Sequence, residues 1–187
     1  MNPQGKRNAI LSVAERLFAE HGYGGTSIAD IAKAADVAVG SVYRLFPDKP
    51  SLLAALHQRM EQRFIDAMTT AWDSVEGYSE KFEPLIAALL REAEIAHEFM
   101  PLYTLTKDMI GTQDYVPGAL MIEAIEDLYG QGVDAGVYRP VRAGILGPLA
   151  HAMVEGGMRA WMMKPTRATR NRVQSELAEV FERAFLA

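Results

Sequence analysis

The sequence of 187 residues predicts an all-α protein of about nine helices, and three observations carry that prediction. Apolar residues recur at three- and four-residue spacing through most segments. No run alternates apolar with polar residues as a half-buried strand does. Of the five helical segments expected in the carboxy-terminal half, four open on proline (Pro84, Pro101, Pro117, Pro148), which suits a first helical turn where the missing N–H is no loss.

The elements follow in order. Ile10, Leu11, Ala14, Leu17 and Phe18 form one face of a first helix that stops at His21-Gly22-Tyr23-Gly24-Gly25. Ser27, with Asp30 three residues on, has the spacing of a capping box and starts a short second helix over Ile28, Ile31, Ala32 and Ala35. Asp36 tolerates the left-handed backbone that the following tight turn needs. A third short helix covers Ala38 to Leu45, with Val42 and Phe46 inward. Asp48 caps a long fourth helix with Pro50 in its first turn and Leu52, Leu53, Leu56, Met60, Phe64 and Met68 on its apolar side. Gly77 to Lys81 is a candidate domain boundary. Beyond it, helices are expected near Pro84–Phe99, Pro101–Ile110, Pro117–Tyr129, Pro148–Met163 and Thr166–Phe185.

Composition bounds the function. With 49% hydrophobic and 23% charged residues the chain can bury a core and is not disordered. The absence of cysteine excludes disulfides, thiolate catalysis and thiolate-held metals, and the expected home is the cytoplasm. Lys6 and Arg7 precede an apolar stretch interrupted by Glu15 and Arg16, so no signal peptide is expected. Ala143 to Met163 has the length of a membrane span but contains Pro148, His151, Glu155 and Arg159; a charge at mid-membrane costs about 2.5–3.5 kcal/mol, so a buried helix of a soluble protein is expected.

The net charge of −5 argues, by itself, against a phosphate-rich partner. Residues 1–49, however, hold six Lys and Arg against five acids, a net +1, and the remaining 13 basic and 19 acidic residues give −6. The acidity is localised in the second part of the chain.

Two short helices joined by a tight turn, with a helix in front and a long one behind, are the parts of a helix-turn-helix reader of DNA. The string from His21 to Leu53, HGYGGTSIADIAKAADVAVGSVYRLFPDKPSLL, closely resembles the amino-terminal domain of the TetR family of transcriptional regulators. Gly22-Tyr23, Thr26-Ser27-Ile28, Ile31-Ala32, Ala35, Val37, Gly40, Val42-Tyr43, Phe46, Lys49 and Leu52 carry the resemblance. It implies a DNA-binding domain at residues 1–49, with the motif at about 27–46, and an effector-binding and dimerisation domain at 50–187.

Within the motif, Ile28, Ile31, Ala35, Val37, Val42 and Phe46 read as a scaffold of plain packing. Gly40 lets the third helix approach DNA closely, while Ala38, Val39, Ser41 and Arg44 face the major groove. Arg44 is the only long basic side chain on that helix and can pair bidentately with guanine. Tyr43 and Lys49, by resemblance, contact phosphates, as does Ser27 through its side chain or N–H. Three residues depart from the common pattern: Asp36 where glycine is usual, Val39 where a polar or basic residue is frequent, and Pro50 where an acid is frequent. Val39 offers at most an apolar contact, such as to a thymine methyl.

One helix-turn-helix reads too few base pairs, so a two-fold dimer across a palindrome is expected. The resemblance implies that the last two helices, around Pro148 to Phe185, pair between copies. Gly156 and Gly157 would permit close approach, and Met153, Met158, Trp161, Met162, Leu177, Val180, Phe181 and Phe185 supply apolar area; an ordinary intrachain core explains the same residues. Effector contacts are sought among Phe64, Met68, Trp72, Phe99, Tyr103, Met121, His151 and Glu155, together with Phe82, Met109, Tyr115 and Tyr129, though core packing accounts for any one of the apolar members. His151, Glu155 and Arg159, at four-residue spacing, could be pocket anchors, an ion-pair ladder or a solvent stripe.

Enzyme readings fare worse. Glu94 and His97 form an E-x-x-H, but no other histidine has glutamate three residues before it, so the second half of a di-iron site is absent, and a solvated acidic face of Glu92, Glu94 and Glu98 explains Glu94 better. No GxSxG, P-loop, GxGxxG or HExxH occurs. The expectation is a non-enzymatic repressor with no metal and no cofactor, bound to duplex DNA and released by a small effector. The alternative is a helical ligand-binding or enzymatic protein with a vestigial helix-turn-helix; regulation by a protein partner is a third.

Overall fold

The computed structural model describes residues 3–97, 99, 102–103, 116–142 and 144–186. The expected helix over Pro101–Ile110, the candidates Met109 and Tyr115, and Glu98 of the acidic face lie wholly or largely outside these residues. Among the described residues the regular elements are α1 (Pro3–Gly25), α2 (Ile28–Ala34), α3 (Val39–Leu45), α4 (Lys49–Asp73), a 3₁₀ turn (Tyr78–Glu80), α5 (Phe82–Ile95), α6 (Ala119–Asp134), α7 (Leu146–Met162) and α8 (Arg167–Phe185). The protein is all-α; a lone backbone bridge between Tyr138 and Leu186 is the sole strand-like pairing described.

The chain divides into two units, Met1–Met60 with Ala96–Pro117, and Glu61–Ile95 with Gly118–Ala187. Helix α4 runs unbroken through the division after Met60. The Gly77–Lys81 break falls inside the second unit.

In the first unit, Ile10, Leu11, Ala14 and Phe18 are buried on α1, and Gly22 (φ 75°, ψ 158°) breaks the helix where the glycine cluster predicts. The buried Thr26 hydroxyl ties that break down by donating to the carbonyls of Leu17 and Gly22, each at 3.1 Å. The capping box is complete: Asp30 N–H donates to Ser27 Oγ at 3.1 Å, and Ser27 N–H to Asp30 Oδ2 at 2.9 Å. Asp36 has φ 53°, the left-handed turn position. Ser51 N–H donates to Asp48 Oδ1 at 2.7 Å, capping α4 with Pro50 in its first turn. Of the expected scaffold, Ile28, Ile31, Val42 and Phe46 are buried, while Ala35 and Val37 are half-buried.

The later segment of this unit returns to α1. Tyr103 Oη donates to Glu15 Oε1 at 2.5 Å, Glu15 also pairs with Arg59 at 2.5 Å, and Arg59 donates to Ser12 Oγ at 3.1 Å. His57 is buried, its ring edge-on to Tyr103 at 4.9 Å.

The second unit packs α5 against α8, α6 against α7, and α7 against α8. Tyr138 is its aromatic centre, stacked on Phe82 (5.3 Å) and Tyr129 (5.2 Å), with its hydroxyl donating to the Tyr78 carbonyl at 2.6 Å. That ring fits because Gly132 lies under it: a Cβ there would stand 2.1 Å from Tyr138 Cδ2. Lys81 is buried, and its ammonium donates to the carbonyl of Trp72 at 2.5 Å and to that of Val75, taking up carbonyls left open at the end of α4. Glu92 pairs with Arg63 at 2.9 Å and Glu94 with Arg170, so two members of the expected acidic face are in ion pairs. No group of three metal-ligating side chains occurs among the described residues, and no described helix is long and apolar enough to cross a membrane.

Candidate nucleic-acid interface and apolar cavity

The shortness of α2 and α3 follows from local chemistry. The Ser27–Asp30 box fixes the start of α2, and the left-handed Asp36 turns the chain before α3 can begin at Val39. Burial of Val42 and Phe46 then orients α3, so that Ala38, Val39, Gly40, Tyr43 and Arg44 are exposed and Ser41 half-exposed. An added Cβ on Gly40 would meet nothing within 4 Å, so its surface is open.

Ser27, Val39, Tyr43 and Lys49 line a common recess of about 490 Å³ together with Gly24, Gly25 and Asp30. Lys49 closes one side, its Nζ lying 4.2 Å from the centre of the Tyr23 ring and 5.8 Å from that of Phe18. Partial burial lowers the Lys49 pKa. Arg44 does not line the recess and projects separately from the last turn of α3. Arg7 adds a second cation over an aromatic ring, its guanidinium 5.3 Å from the centre of Phe46.

Ser27 is less available than its place in the sequence suggests. Its N–H and its hydroxyl both engage Asp30 Oδ2, at 2.9 and 2.5 Å, so a phosphate contact there requires Asp30 to let go. These same hydrogen bonds hold the Asp30 carboxyl below its ordinary pKa.

The residues considered for effector binding do not form one cluster. Met68 and Trp72 line a cavity of about 40 Å³ in the second unit, with Phe82, Leu89, Ala150 and Phe181 among the other walls. Phe64 and Met121 are buried in that unit without lining the cavity. Phe99 and Tyr103 belong to the first unit, where Tyr103 holds Glu15. His151 packs on Gly118, which is left-handed (φ 84°): a Cβ there would lie 2.9 Å from the imidazole. Glu155 is exposed on α7. Sequence reasoning missed Leu85, Ile125 and Val154, half-buried wall residues whose only signal was their apolar helical spacing.

The residues proposed for pairing between copies divide likewise. Met158, Trp161, Phe181 and Phe185 are buried within their own unit, Met153, Gly157, Met162 and Leu177 are half-buried, and Gly156 and Val180 are exposed; Leu149 and Met163, outside the expected set, are exposed as well.

Comparison with known proteins bears on this geometry. Residues 10–56 match the family described as bacterial regulatory proteins, tetR family. The chain is 43% identical over 58 residues to the HTH-type transcriptional regulator AcrR of Shigella flexneri, a stretch covering 31% of this chain but only 27% of that protein. It is 25% identical over 143 residues to the HTH-type transcriptional repressor KstR2 of Mycobacterium tuberculosis, covering 72% of this chain and 70% of that one. A solved structure from Shewanella sp. PV-4, assigned to the same regulators, superposes with a TM-score of 0.78 at 26% identity over 97% of this chain and 98% of the other.

Proposed function

This chain belongs to the TetR family of bacterial transcriptional regulators, and on that premise we propose that it is a homodimeric repressor, released from a palindromic operator by a small-molecule effector. The observation that carries the reading is the outward face of α3, where Val39, Tyr43 and Arg44 stand exposed over a helix fixed by buried Val42. Arg44 and Ser41 read bases; Tyr43 and Lys49 grip phosphates; Ala38, Val39 and Gly40 allow close approach. Ser27 joins the phosphate contacts if Asp30 releases it. Residues 1–49 serve DNA and residues 50–187 serve effector and dimer, the protein acting in the cytoplasm and catalysing nothing. The repressor sense is supported by the name of the KstR2 relative.

Release is a population shift. Lys49 opens helix α4, and the cavity residues Met68 and Trp72 stand near the end of the same helix, so the phosphate grip and the cavity draw on one element of the chain. Moving the equilibrium from 99:1 to 1:99 takes an effector that binds the released state about 10⁴-fold better.

Selection from random duplexes followed by gel shift tests the reading. A palindromic site with salt-sensitive, sequence-specific retardation is expected. Retardation that is absent or indifferent to sequence would favour a helical ligand-binding protein whose helix-turn-helix is vestigial.

A further inference from the structure

We propose that Val39 selects thymine, its isopropyl group meeting the 5-methyl group of that base in the major groove at one position of each half-site. The inference rests on the DNA-binding reading above and names a base that the site selects.

Val39 is the first residue of α3 and is 41% exposed, whereas Val42, one turn on, is buried. The helix is thus anchored through Val42, and the Val39 side chain is left to solvent. Ala38 before it and Gly40 after it are exposed too, so the opening turn offers no side-chain donor or acceptor. A Cβ on Gly40 would meet nothing within 4 Å, which leaves this turn open to a close approach. In a helix-turn-helix the amino-terminal residues of the second helix are the ones that meet base edges.

The chemistry of the groove then picks the base. Guanine presents two acceptors there, adenine an acceptor and a donor, and cytosine a donor. Pressed against valine, each would lose its water and gain no partner. Thymine alone carries an apolar group on that edge, and covering it removes apolar surface of both partners from water. An exposed valine becomes selective without making a hydrogen bond.

Position follows from the recess. Val39 lines it with Tyr43 and Lys49, whereas Arg44 lies outside it. The thymine therefore belongs beside the phosphate grip, and the base read by Arg44 is a different one. Five residues of helix separate Val39 from Arg44, about 7.5 Å of rise or about two base-pair steps.

The test uses the full chain and an operator selected from random duplexes. Each symmetry-related pair of thymines is replaced in turn by deoxyuridine, which removes the methyl group and leaves the base pairing, and affinity is measured by fluorescence anisotropy. One pair is expected to be sensitive, with binding weakened about two- to fourfold for each half-site changed. Cytosine in that pair should bind worse than thymine, and 5-methylcytosine should recover about two- to fourfold per half-site. Val39→Ala places a better helix former at an exposed position, so the variant should fold, and it should bind the thymine and deoxyuridine duplexes alike. A selected operator without thymine, a scan that is flat at every pair, or a methyl effect that survives Val39→Ala overturns the inference and leaves the regulator reading standing. Failure to select any site sinks the regulator reading itself.

Discussion

The ammonium of Lys49 rests on the face of Tyr23, Nζ to ring centre 4.2 Å, and Tyr23 in turn meets Phe18 edge-on at 5.3 Å. Two residues separated by a helix-turn-helix are thereby joined before any DNA is present. The ring limits where the cation can point, so less side-chain freedom is lost when a phosphate arrives. Tyr23→Leu is expected to weaken operator binding about two- to fivefold, equivalent to about 0.5–1 kcal/mol, and Tyr23→Phe to retain the wild-type value. Fluorescence anisotropy on operator and scrambled duplexes checks this; equal losses for both variants would point to the hydroxyl instead.

Arg44 and Lys49 should fail differently. Arg44→Ala is expected to lose about 1–3 kcal/mol on the operator and to relax discrimination at one base position. Lys49→Ala should lower affinity evenly for all duplexes and flatten the salt dependence by about one ion. The measurement is log affinity against log salt for both variants on matched and mismatched sites.

The pairing of His57 with Tyr103 predicts an acid limit. Burial pushes the His57 pKa down to about 4 from 6.5, so the folded protein keeps it neutral. Between those values the unfolded chain takes up a proton that the folded one refuses, and stability therefore falls as pH drops through that window, by at most about 3 kcal/mol. Asp30 and Asp48, held below 3.8 by hydrogen bonds from Ser27 and Ser51, lose their contributions only under more acid conditions. Urea unfolding at pH 7, 5.5 and 4.5 should show the slope in wild type and a flatter one in His57→Gln.

What the sequence made legible was chemistry settled within four or five residues. The Gly22 break, the Ser27–Asp30 box, the left-handed Asp36 and the Asp48 cap before Pro50 are all local choices, and each stands where the sequence places it. Illegible were features decided by where the chain returns. Nothing periodic announces that Tyr103 will hold Glu15 across 88 positions. Lys81, read as the end of a candidate domain boundary, is buried where the carbonyls of Trp72, in the last turn of α4, and Val75, just beyond it, accept from its ammonium. The effector candidates scattered for the same reason, since helical spacing marks an inward face without saying which interior it meets.

Adjacent glycines on α7 show the same limit and yield the last prediction. A Cβ on Gly157 would lie 2.5 Å from Leu177 Cδ1, so this glycine lets α7 approach α8 within one chain. A Cβ on Gly156 would meet nothing within 4 Å, and Leu149, Ala152 and Ala160 share its exposure, with Met163 85% exposed at the helix end. An apolar stripe of this kind is what a second copy would cover. Leu149→Glu with Gly156→Glu is therefore expected to give a folded monomer, because two like charges would face their symmetry mates, Leu149 is 57% exposed and a side chain on Gly156 starts in open space. Losing the second head should weaken operator binding by about 10²- to 10⁴-fold while leaving weak half-site binding. Gly157→Ala should instead lower the melting temperature and leave the dimer intact. Sedimentation velocity and thermal melts separate the two effects: a doubly charged variant that remains dimeric, or a monomer with full operator affinity, would place the pairing surface elsewhere.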